Sequence, residues 1–176
     1  MRELGQYLLY IHYQALCMAH YDAKPSFYGV STTDEWVVRE YIEDKENNPT
    51  IYKGLPLHTE YRVFVDFDTR EVIGISPYWE PNLMKNRFGN SSDSDSPHQV
   101  HDYIIFESYE KTLMKRYEDN KEKVLSYVID VINNNESMEG QWSIDIMQNG
   151  DEFYLIDMSL AENSALYDCA PKQLRR

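Results

Sequence analysis

Two aspartates interrupt apolar strands in the last third of the sequence. The segment 141-QWSIDIMQNGDEFYLIDMSLAEN-163 reads as strand, turn, strand, and each strand carries one carboxylate: Asp145 in WSIDIM and Asp157 in YLIDMS. Burying a lone carboxylate is costly unless it is paired. The turn is expected at Asn149-Gly150. Asp145 lies four residues before Asn149 and Asp157 seven after Gly150, so counting alone does not set them opposite; a bulge or a longer turn would bring both to one sheet face. Two carboxylates in one cleft repel, and each resists ionising. A divalent cation removes that conflict, and Mg²⁺ is the hard cation that takes one or two carboxylates together with phosphate oxygens. Glu162 and Asn163 follow directly and add oxygen ligands beside the second strand. The alternative is that one aspartate faces water while the other caps a turn.

The elements that must position these residues are legible as periodicities. Leu4, Leu8, Ile11, Ala15 and Met18 form one stripe and predict a helix over 3–21. Val37, Val38, Tyr41 and Ile42 suit a strand over 36–43, followed by a polar loop. The stretch 59–67 alternates, with Tyr61, Val63 and Val65 on one side and Arg62, Phe64 and Asp66 on the other. Asp68-Thr69-Arg70 turns it into a second strand over 71–76. Residues 80–97 carry little pattern, and their small, polar and acidic tail GNSSDSDSP (89–97) reads as a mobile surface loop; a calcium loop on Asp93 and Asp95 lacks the glycine and distal glutamate such a loop needs. DYIIFE (102–107) reads as a short strand. Leu113, Tyr117, Val124, Val128 and Val131 predict a helix over 110–133, and strands over 142–148 and 152–158 close the chain. The fold class is α+β: a mainly antiparallel sheet covered by two long helices. No linker divides the chain, so residues 1–35 are expected to be a helix and connector leading into one domain over 36–176.

In this order the segments resemble the C-terminal lobe of the ATP-grasp superfamily. VVREYI, PLHTEYRVFVD and YLIDMS are most similar to the branch found in bacteriophage and bacterial ATP-grasp proteins, a neighbourhood that includes a eukaryotic assembly factor for a translation initiation factor. The resemblance covers roughly residues 36–160. It implies that Asp145 and Asp157 bind Mg²⁺ and that the metal holds the phosphates of ATP. Ser159 stands where the family usually carries an asparagine ligand, and Asn163 is a candidate substitute. The strand VVREYIE matches the hinge on which the adenine lies, with backbone groups of Tyr41 and Ile42 and the side chain of Glu40 at the adenine edge. Glu60 matches the glutamate that takes a ribose hydroxyl. Arg62, on the same strand face, would clamp phosphate or an acyl-phosphate, and Arg39 would contribute from the hinge. The implied chemistry is ATP-dependent ligation: ATP phosphorylates a carboxylate acceptor and an amine or thiol attacks the acyl-phosphate. An intact member grips the nucleotide between two lobes, the N-terminal one supplying lysines and a flexible phosphate loop. Residues 1–35 hold one lysine, Lys24, and no glycine-rich loop. A fragment or a reduced relative is therefore expected. The rival reading is a non-catalytic binding or assembly protein that keeps the lobe without the chemistry.

Composition narrows the partners. The chain of 176 residues carries 30 acidic against 17 basic side chains, a formal charge of −13, which opposes nucleic-acid binding and favours a basic protein partner. A second copy covering an exposed half-cleft is a further option. Two distant cysteines, Cys17 and Cys169, suit free thiols in a reducing compartment. No apolar run reaches the length of a membrane span and no secretory signal opens the chain, so the expected location is cytoplasmic. Other constellations are weaker. His98, His101 and Asp102 come together as a transition-metal site only on a helix. His12 and His20 fall near one helical face, and Cys17 sits among apolar neighbours. Tyr78 and Trp79 suit core packing better than a pocket wall.

Overall fold

The computed structural model describes residues 2–19, 40–52, 54–88 and 97–166. The chain falls into two compact units, 1–42 and 43–176. In the first, the expected helix is α1 (Arg2–Ala19). Leu8 and Ile11 of the expected stripe are exposed on it, as are Tyr7, Leu9, Tyr10 and Tyr13. Residues 40–42, expected in a strand, have no regular secondary structure; 32–39 lie outside the described residues.

The second unit is a four-stranded antiparallel sheet backed by one long helix, the α+β class read from the sequence. A small ladder of β1 (Thr50–Ile51) and β2 (Leu55–Pro56) precedes it. The sheet contains β3 (Glu60–Asp66), β4 (Glu71–Pro77), β5 (Gln141–Asn149) and β6 (Glu152–Leu160) in the order β4-β3-β5-β6. Alternation assigns the two sides. Tyr61, Val63 and Val65 from β3 and Ile144 and Ile146 from β5 pack on Tyr117, Val124, Val128 and Ile132 of the helix. The other side carries Glu60, Arg62 and Phe64 from β3, and Ser143 and Asp145 from β5. Asp66 ends β3 by accepting the N–H groups of Asp68 and Thr69, both at 3.0 Å, the local side-chain bonding that makes aspartate a turn former.

One further expectation fails. DYIIFE is not a strand: it belongs to α3 (Pro97–Asn133), one helix of 37 residues. Phe106 and Leu113 are its buried positions there, packing with Ile51, Leu57, Trp79 and Met84, and together with Tyr109 they keep the helical three- and four-residue spacing. The β-branched pair Ile104-Ile105 imitated a strand, and tertiary packing decided otherwise. Ahead of the tail read as a loop, residues that carried little pattern form a helix, α2 (Pro81–Phe88). Pro81 is pre-set for a first helical turn, and the Glu80 carboxylate accepts the Leu83 N–H at 2.6 Å. Residues 89–96, including Asp93 and Asp95, lie outside the described residues. Among the described residues no helix is long and apolar enough to cross a membrane.

Candidate functional site

The β5–β6 hairpin explains how both aspartates reach one place. Its turn is Gly150-Asp151, one residue later than the sequence suggested, with Asn149 paired to Glu152. Gly150 has φ +68°, and a positive φ at the first central position alone is the pattern of a type II′ hairpin turn. In that register Asp145 would face Ile156. Instead Ile146 pairs with Leu155 and Asp145 with Asp157, so Ile156 is the extra residue of a β-bulge. Bulges re-aim side chains in this way. The β3–β5 ladder then adds Arg62 opposite Asp145, and the β3–β4 ladder adds Ser76 opposite Arg62. One transverse row therefore reads Ser76, Arg62, Asp145, Asp157.

Arg62 and Asp145 form the most tightly built contact of the row. Arg62 Nε donates to Asp145 Oδ1 at 2.8 Å and its Nη2 donates to Oδ2 at 2.7 Å, the two-pronged geometry in which an arginine–carboxylate pair is strongest. Their side chains are 13% and 6% exposed. Arg62 Nη1 also donates to the Ala165 carbonyl at 3.3 Å, and the guanidinium lies 4.7 Å from the centre of the Tyr78 ring. Burial opposes the Arg62 charge, but the Asp145 carboxylate outweighs it and holds the guanidinium protonated more firmly than in water. Asp157 is exposed, and its Oδ1 accepts the Met158 N–H at 2.9 Å.

Glu60 lies one step along the same face of β3 and is 9% exposed. Burial, reinforced by Asp145 and partly offset by Arg62, pushes its carboxyl up to about 8, so at neutral pH it is mostly protonated. The next row in the other direction holds three hydroxyls. Ser143 pairs with Ser159 across the ladder; their Oγ atoms are 2.9 Å apart, and each lies 2.6 Å from Ser164 Oγ. Ser159, a candidate magnesium ligand, is thus one row from Asp157 and bonded into this ring. Asn163, the other candidate, is exposed on a short 3₁₀ turn (Ala161–Asn163).

The structure therefore brings together Glu60, Arg62, Asp145 and Asp157, with Ser159 beside them. Glu40, Tyr41 and Ile42 fall in the first unit, and Arg39 lies outside the described residues. Tyr78 and Ser164 were missed as neighbours of the site. Tyr78 stands directly after β4, where only the register of that strand against Arg62 would have revealed it.

A second polar group had no sequence signal. One ligating atom from each of Asp44, Glu46 and His58 lies within 4.8 Å of the others, the one such trio among the described residues. Asp44 and Glu46 come from a loop expected only to be polar, and His58 is fourteen residues further on. Asp44 accepts the N–H groups of Glu46 at 3.0 Å and Asn48 at 2.6 Å. Burial acts against its charge, but these bonds prevail and hold its pKa below the usual value. Arg116 of α3 lies 3.3 Å from Glu46 Oε1 and donates to Asn48 Oδ1 at 3.0 Å. Tyr109 donates to the same oxygen at 2.8 Å. These contacts fasten the 44–48 loop to α3, and Arg116 already pairs with one member of the trio, Glu46.

No protein-family model matches the chain, and neither the curated proteins nor the solved structures give a match.

Proposed function

We propose that the polar face of the sheet is a magnesium–nucleotide surface of ATP-grasp type. The observation that carries this reading is the direct pairing of Asp145 with Asp157. Directly paired residues of an antiparallel ladder have Cα atoms about 4.5–5.5 Å apart, close enough for their carboxylates to share a hard cation. Asp145 and Asp157 would hold Mg²⁺, with Ser159 and Asn163 at the margin. Bound there, the metal would neutralise phosphate oxygens of ATP. Arg62 would orient and neutralise a phosphoryl group, and Glu60, as a neutral acid, would donate a hydrogen bond to a ribose hydroxyl. The associated reaction is ATP-dependent ligation of a carboxylate acceptor to an amine or thiol, given a lobe that supplies cations over the phosphates.

One observation favours a second reading, a non-catalytic binding protein for a basic partner. Both Asp145 oxygens are already satisfied by Arg62, which makes the pair a structural unit without any metal. Calorimetric titration of ATP with and without Mg²⁺ separates the two. The nucleotide reading expects magnesium-dependent binding that Asp157→Asn weakens at least tenfold. Absence of heat in the wild type favours the binding protein.

A further inference from the structure

We propose that Arg62 is a latch on the Asp145–Asp157 pair, withholding it from divalent cations until an anionic ligand draws the guanidinium away. The nucleotide reading enters only through the identity of that anion; the latch itself concerns the chain's own residues.

The argument starts from the acceptor count. A carboxylate has two oxygens, and a chelating cation needs both or at least one with free approach. Arg62 engages both Asp145 oxygens with separate donors at 2.8 and 2.7 Å. It also sets a full positive charge against the Asp145 carboxylate, which repels a cation approaching that group. Asp157, across the ladder, is exposed, so a cation can reach one carboxylate of the pair but not both. A cation held by one aspartate alone is bound weakly, because water competes for the remaining positions.

The latch has a means of release. A phosphate presents the same two-oxygen edge as a carboxylate and carries more charge, so the arginine fork can transfer to it without losing a bond. Arg62 does not depend on Asp145 alone for its position, since the Ala165 carbonyl and the Tyr78 ring also support it. Asp145, once released, is buried at 4% exposure and needs a new positive partner, because an unpaired buried carboxylate is costly. A cation shared with Asp157 answers that need. Anion and cation then bind with positive coupling through one side chain.

The test is direct binding of Mn²⁺, read by its electron paramagnetic resonance signal, to the full chain without nucleotide. Wild type is expected to bind weakly. Arg62→Met is expected to bind at least tenfold more tightly, and Arg62→Lys, which can hold only one oxygen, to fall between. Adding Asp145→Asn to Arg62→Met is expected to abolish the gain. Should Arg62→Met lack the wild-type circular dichroism spectrum, Arg62→Lys carries the comparison. The latch is overturned if neither variant gains over wild type, or if the gain survives Asp145→Asn. The parallel titration of ATP into wild type decides the nucleotide reading separately: a gain in Arg62→Met with no ATP binding in wild type leaves the latch standing and removes the nucleotide.

Discussion

Asn149 brackets the chain at residues 43–45 from the end of β5. Its Nδ2 donates to the Glu43 carbonyl at 2.8 Å and its Oδ1 accepts the Lys45 N–H at 2.9 Å. The side chain is fully buried and ties the backbone of this segment to the end of β5. Asn149→Ala removes both bonds and is expected to cost about 1–3 kcal/mol. Asn149→Asp keeps the acceptor and loses the donor, setting a carboxylate against the Glu43 carbonyl, and is expected to cost at least as much. Urea unfolding followed by circular dichroism checks both; a loss confined to a few tenths of a kcal/mol would mean that the 43–45 segment is held by something else.

Glu60 predicts an inverse pH dependence. Its carboxyl ionises near the ordinary 4.5 in the unfolded chain and near about 8 in the folded one. Between those values the folded protein holds the extra proton, so raising the pH favours unfolding. The contribution is complete below pH 4.5 and is lost progressively as the pH rises through 8. The penalty accumulates at roughly 1.4 kcal/mol per pH unit at most, a few kcal/mol in all. Glu60→Gln, which stays neutral, is expected to flatten this slope and to be more stable than wild type at pH 8 while matching it near pH 5. Denaturant midpoints across pH 5 to 8 test this, and an unchanged slope in the variant would assign the dependence to another group.

The Arg62–Asp145 pair predicts unequal single losses. Arg62→Met strands a buried carboxylate and is expected to cost about 3–5 kcal/mol. Asp145→Asn leaves an arginine that retains the Ala165 carbonyl, the Tyr78 ring and some solvent, so its cost is expected to be smaller. The double variant is expected to lose less than the sum, with an interaction energy of at least about 1 kcal/mol. Additive losses in the thermodynamic cycle would show that the two-pronged contact contributes nothing beyond its parts.

The hairpins were legible because alternation and turn chemistry are local. Tyr61, Val63 and Val65 announced which side of β3 packs on α3, and Gly150 announced the last turn. The Asp145–Asp157 pairing was not legible, because it depends on a bulge at Ile156, set by cross-strand packing that one strand's sequence does not contain. The length of α3 was hidden for a similar reason: Ile104 and Ile105 carry strand preference, and only the contacts of Phe106 with Ile51, Leu57 and Trp79 reveal the helical face. The Arg62–Asp145 contact joins residues 83 apart in the chain. The arginine was singled out for phosphate and the aspartate for metal, yet nothing local to either announces that they satisfy each other.

Helix α3 serves two hydrophobic clusters with one rod about 55 Å long, at 1.5 Å per residue. Its earlier turns, through Phe106 and Leu113, close the cluster around Trp79, and its later turns, through Tyr117 to Ile132, close the sheet. Neither cluster can come apart without exposing apolar surface on the shared helix. The two are therefore expected to open as a single cooperative block, so that deuterium exchange of the amides from Phe106 to Ile132 reports one common opening free energy and only the turns before Phe106 open independently.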